Sequence, residues 1–215
     1  MTGRQHPPEV TGALALRAFV ERLAADDSLA ERFRDEYGLF VVPLLNPDGV
    51  VRGNWRYDAA GTDLNRDWGP FARPETRLVR DALTERDPVL VLDFHSTTRD
   101  VLYTPVDEAP LTRAWFPAAW HAAINRRLEG PPLARGAAHN PGNPTLKSWA
   151  AEALRVPGIT FELGDATDAQ RIETLAAIAA EEAMKLLLER RALSAAGTPL
   201  SRPAEPCWES LSPAP

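Results

Sequence analysis

Two histidines and two glutamates in this chain have the types and settings needed to share a metal ion and a water. His6 and Glu9, in the segment HPPE, lie three residues apart, so one helical or turn-like step aims both at a single point. His95 closes the apolar run VLVLDFH, and Asp93, two residues earlier, shares its face of the expected strand, where it could orient another group or a loop. Two histidines, one glutamate and a water form a catalytic zinc arrangement. The metal brings the pKa of a water toward ~7 and polarises a carbonyl. A further carboxylate must then take the water's proton and pass it to the leaving group. Glu162, in the apolar strand sequence GITFEL, suits that task, because a charge buried in such a strand is costly unless it is paired or functional. Taken singly, each residue also has a plainer reading: a surface His–Glu pair, a core histidine, a structural ion pair. The expected cofactor is one zinc ion, although manganese or cobalt suits the same donors.

The loop NWRYDAAGTDLNRDW, residues 54–68, adds Arg56 and Arg66 with Asn54 and Asn65. Arginine forks match carboxylates in bidentate geometry, so this loop suggests anion recognition. Only four histidines occur, and the remaining two carry weaker signals. His121 falls on an expected helix, as a structural or exposed residue, and His139 lies in a loop that could approach the site. Trp55, Trp68, Trp115 and Trp120 are expected to pack rather than to bind substrate. A lone cysteine, Cys207, excludes a disulfide framework and a cysteine-ligated zinc site.

Elements that alternate along the chain must position these groups. Helical spacing is expected over 11–25, with Thr11 as N-cap, and over 28–36, 74–86, 111–128, 146–154 and 168–192. Buried strands are expected at 38–45, 89–95 and 158–163. NPDG and the polar residues to about 71 read as a long loop, unusual in a compact domain unless functional. Residues 130–145, rich in Gly, Pro and Asn, also read as loop. The alternation implies an α/β fold: an open, mostly parallel (mixed) sheet with helices on both faces and the active site at the carboxyl ends of the strands. Residues 1–195 are expected to form one domain and 196–215 a disordered tail.

In chain order, HPPE (6–9), NPDG (46–49), GTDLNRDW (61–68), DFHS (93–96) and TFELGD (160–165) resemble the motif series of the M14 zinc carboxypeptidases. GNWRYDAAGTDLNRDW is most similar to the cytosolic carboxypeptidase branch of that family. The resemblance implies a metallocarboxypeptidase that hydrolyses the C-terminal peptide bond of a peptide or protein. His6, Glu9 and His95 would hold zinc, with Glu162 as general base. It further implies that Asn65 and Arg66 clamp the substrate's terminal carboxylate and that Arg56 stabilises the developing oxyanion. TLKSWAAE, 145–152, resembles the segment lining the pocket for the terminal side chain; Lys147 there would favour Glu or Asp. The sequence departs from the family pattern at Asn140, where many members have a tyrosine, at Asp67 for an asparagine and at Ser148 for an aspartate. Only five residues precede His6, so the sheet is expected to lack the family's N-terminal strands.

The 215 residues suffice for one domain with a substantial core, and a net charge of −6 argues against nucleic acid. Neither a run of about 18 apolar residues nor a signal peptide is visible, so no membrane partner and a cytoplasmic location are expected. Oligomeric state is not legible. Two alternatives stand beside the peptidase: a zinc N-acyl amino acid deacylase resembling succinylglutamate desuccinylase and aspartoacylase, or an inactive truncated domain.

Overall fold

The computed structural model describes residues 1–137, 139 and 142–195; Asn140, Cys207 and the expected tail 196–215 lie outside the described residues. Strand β1 (Thr2–Gly3) leads into helices α1 (Val10–Leu23), α2 (Ser28–Glu36) and α3 (Pro47–Arg52). A 3₁₀ turn (Leu64–Arg66) and α4 (Pro74–Arg86) precede β2 (Val91–Thr97) and β3 (Val101–Thr104). Then come α5 (Phe116–Arg127), β4 (Ala134–Ala137), α6 (Leu146–Ala153), β5 (Gly158–Gly164) and α7 (Ala169–Ala195).

The strands assemble in the order β1-β2-β5-β3-β4. β1, β2 and β5 run parallel, β3 is antiparallel to β5, and β4 is parallel to β3. This is the mixed, mostly parallel sheet expected from the alternation. Strand periodicity sorts its two faces. Leu92, Phe94, Ile159, Phe161 and Leu163 pack under α1, α2, α5 and α7. On the opposite face Val91 joins Leu64, Trp68, Val79, Leu146 and Ala150 beneath α4 and α6. Asp93, His95, Thr160 and Glu162 alternate onto that second face. The register pairs Asp93 with Thr160 and His95 with Glu162, so His95 and Glu162 occupy one row.

Several local expectations change. Residues 38–45 form no strand: only Val42 bridges to Thr2, and Pro43 has no N–H to continue a ladder. Irregular bonds from Gly3 N to Val42 O and from Leu45 N to Gly3 O keep the segment alongside β1. NPDG is not loop but the start of α3: the Asn46 side chain accepts from Gly49 N, Pro47 occupies the first turn, and Gly53 (φ 68°) ends the helix. Thr11 does not cap α1; its hydroxyl donates to Ser96 Oγ across 2.7 Å, and Glu9 precedes the helix instead. The helix expected from 111 begins at 116. β4 lies inside the expected 130–145 loop, and β1 and β3 were not foreseen.

Candidate active site

The turn between β1 and α1 brings His6 and Glu9 to the carboxyl end of β2. Pro7 and Pro8 fix two backbone angles of this turn. His6 Nδ1 lies 2.7 Å from Glu9 Oε1, and His95 Nδ1 lies 2.7 Å from Glu9 Oε2. One ligand atom from each residue falls within 4.8 Å of the others. Both rings turn their second nitrogen to a different carboxylate. His6 Nε2 is 3.0 Å from Asp63 Oδ1, and His95 Nε2 is 2.7 Å from Asp93 Oδ2. That arrangement turns each Nδ1 to the inside of the cluster, and the donor set of two imidazoles and one carboxylate suits zinc.

The electrostatics favour a cation at this point. Burial alone would push the Glu9 carboxyl up, but the charge and hydrogen bonds of His95 and His6 hold it at about 2. Burial likewise opposes ionisation of Asp63, while His6 and Arg56 bring it to about 2. Burial works against a charged His95, yet Asp93 and Glu9 raise its pKa well above the ordinary value. The anionic groups thus outweigh desolvation wherever positive charge can sit.

Glu162 behaves in the opposite way. Burial pushes its carboxyl up to about 7; His95 opposes the rise, while Glu9 and Asp93 add to it. Its Oε2 is buried without a hydrogen-bond partner among the described residues. A carboxyl of this kind beside a hydrolytic site can accept a proton near neutral pH.

The eight residues singled out from the sequence all line one pocket of 200 Å³. Arg56 donates from Nε to Asp63 Oδ2 across 2.7 Å and is about a third exposed. Asn65 is buried, its Oδ1 accepting from Leu146 N across 3.2 Å, and Arg66 Nη1 donates to Asn65 O across 2.7 Å. Lys147 is buried at the start of α6 and donates from Nζ to His139 O across 2.8 Å; desolvation lowers its pKa. Two participants were not singled out from the sequence, Asp63 and Tyr103. Asp63 joins His6 to Arg56, a role hinted at only by its place two residues before Asn65. Tyr103 stacks on the ring of His139 with centroids 3.8 Å apart, and both line the pocket. Tyr103 belongs to a strand too short to be read from the sequence. Trp68 and Trp120 pack in the core as expected, whereas Trp55 is 81% exposed on the loop beside Arg56. A larger apolar pocket of 470 Å³, bounded by Met1, Phe40 and Leu90, contains none of the eight.

A doubly faced α/β sheet carrying this His–Glu–His cluster defines a metallohydrolase-like centre. The family model described as zinc carboxypeptidase, peptidase family M14, matches residues 1–184, and the chain belongs to that family. Cytosolic carboxypeptidase 2 of Xenopus tropicalis is 38% identical over 106 residues, covering 46% of this chain and 11% of that protein. Cytosolic carboxypeptidase 6 of Caenorhabditis elegans is 34% identical over 105 residues, covering 45% and 23%. The chain thus matches only a small part of the length of these relatives. Among solved structures, a metallo-carboxypeptidase from Burkholderia cenocepacia superimposes with a TM-score of 0.72 at 21% identity, covering 88% of this chain and 56% of that one. A metallo-carboxypeptidase from Pseudomonas aeruginosa gives 0.68 at 23% identity, covering 87% and 56%. At such identity these superpositions speak to the fold.

Proposed function

We propose that residues 1–195 form a catalytic domain that removes the C-terminal residue of a peptide or protein in a zinc-dependent hydrolysis, with preference for a terminal Glu or Asp. The observation that carries this reading is the convergence of His6, Glu9 and His95 beside the unpartnered Glu162 carboxyl. His6 Nδ1, His95 Nδ1 and the Glu9 carboxylate would hold the metal. Bound zinc supplies Lewis acidity, making a water acidic and the scissile carbonyl electrophilic. Glu162 takes the proton from the attacking water and delivers it to the leaving amine. Arg56, tethered by Asp63, faces the oxygen on which negative charge develops. Arg66, supported by Asn65, pairs with the substrate's terminal carboxylate. Lys147, whose ammonium has only a backbone carbonyl as partner in the described residues, receives the acidic side chain.

The relatives' names support a cytoplasmic setting, and no described helix is long and apolar enough to cross a membrane.

The test is release of free glutamate from a peptide ending in Glu, with zinc present and after its removal. Glu162→Gln is expected to lower kcat by ~10²–10⁴-fold. Lys147→Met is expected to lower kcat/KM on the Glu-ended peptide by roughly 10–100-fold, the value of a hydrogen bond to a charged group, and to leave a Leu-ended peptide unaffected. A folded, zinc-loaded protein that cleaves an N-acyl amino acid and no peptide would replace this reading with the deacylase one.

A further inference from the structure

We propose that Asp93 and Gln5 are positioning residues for the metal, acting through His95; the proposal rests on the metal reading above. Asp93 is 1% exposed and Gln5 is fully buried. Asp93 Oδ1 accepts from Thr2 Oγ1 across 2.6 Å, and Oδ2 accepts from Gln5 Nε2 across 2.6 Å while lying 2.7 Å from His95 Nε2. A carboxylate in this setting can only accept. In the metal-free protein both ring nitrogens face carboxylates at 2.7 Å; with a metal on the Nδ1 side, Asp93 would keep the proton on Nε2 and leave Nδ1 to bind. Asn65 Nδ2 also approaches His95 Nε2, but at 3.4 Å, so Asp93 is the nearer partner of that nitrogen.

Gln5 makes the arrangement specific. Its Oε1 accepts from Trp68 Nε1 across 2.9 Å while its Nε2 donates to Asp93. The amide has a donor at one end and an acceptor at the other, an asymmetry that neither Glu nor an apolar side chain reproduces. Its backbone carbonyl accepts from Asn46 Nδ2 across 3.1 Å. Gln5 is the neighbour of His6, Asp93 is two residues from His95, and Trp68 closes the loop carrying Asn65 and Arg66. One buried chain of bonds thus joins the first-ligand turn, the third-ligand strand and the clamp loop. A buried network with all its members paired holds side chains in a single arrangement.

The measurement is the zinc dissociation constant, by competition with a chelator, for the wild type, Asp93→Asn and Gln5→Met, with the melting temperature of each metal-free protein read in parallel. Asp93→Asn keeps the shape and removes the charge; its affinity is expected to fall by ~10–100-fold, the usual loss when a partner of a ligating histidine is removed. Gln5→Met keeps the carboxylate but frees its oxygen, and its affinity is expected to fall by less. Should Asp93→Asn fail to fold, Gln5→Met reads the same question. Lower melting temperatures with unchanged zinc affinity in the folded variants would make the network mere packing and overturn the proposal, while leaving the metal reading standing. A wild type that takes up no zinc overturns both.

Discussion

Glu162 binds its proton more tightly in the folded protein than in the unfolded chain, since burial moves its pKa from 4.5 to about 7. The sign of the stability effect follows. Below pH 4.5 the carboxyl is protonated in both states and contributes nothing. Between pH 4.5 and about 7 the unfolded chain ionises while the folded protein keeps its proton, so stability falls, reaching a loss on the order of 3 kcal/mol above 7 before screening by pocket water. Glu162→Gln is therefore expected to raise the melting temperature of the metal-free protein at pH 8 and to leave it unchanged near pH 4.5. Equal effects at both values would mean that the carboxyl ionises freely in the pocket. Glu9 and Asp63 act in the reverse sense: their pKa values fall to about 2, so the stability they contribute above the ordinary carboxylate range is lost as pH drops toward 2.

At the scale of elements, two glycines set how closely helices approach the catalytic strands. A Cβ on Gly12 would stand 2.5 Å from His95 O and 2.9 Å from its Cα, so α1 can rest on β2 only without a side chain there. A Cβ on Gly158 would lie 2.3 Å from Lys147 O, which fixes α6, and with it Lys147, against β5. Gly12→Ala is expected to force α1 from β2 at a cost of about 1–3 kcal/mol and to weaken zinc binding along with it; thermal melts and zinc titration of the variant check this. β2 and β5 were legible because both are apolar runs ending on a functional residue. β3 and β4 were not: VLYT and ARGA are four residues each and gain their strand character from their neighbours. The strand expected at 38–45 failed at Pro43, and NPDG, read as a turn, carried a helix start in its Asn-Pro pair. The eight residues named from motif types come together at one pocket, whereas Asp63 and Tyr103 could not be named, since their placement depends on partners far away in the chain.

Across the whole molecule, the candidate site joins the turn after β1, the loop of Asp63 and strands β2 and β5, and the proposed zinc would add a direct link between the first of these and β2. Zinc is therefore expected to be a stability ligand as well as a cofactor. At a free concentration 1,000 times its dissociation constant it stabilises by about 4 kcal/mol, roughly 10 °C in melting temperature for a domain of this size. Calorimetry before and after chelation reads the difference; an unchanged transition would mean that zinc does not bind the folded protein in preference to the unfolded chain.

The row in which His95 sits beside Glu162, with Val101 beyond, has a consequence for local opening. The amides around His95 and Glu162 are tied into the interior strands β2 and β5 and can exchange with deuterium only when the sheet itself comes apart. The polar segment carrying Arg56 is held by a 3₁₀ turn, a few side-chain bonds and the Asp63 pair, so it can open and reclose at a fraction of the global free energy. In such an excursion His95 and Glu162 would stay aligned while Arg56 and its neighbours, the proposed substrate anchors, would be displaced. The protein would then be a formed but unaddressed hydrolytic centre, and its turnover would follow how often that one segment is closed.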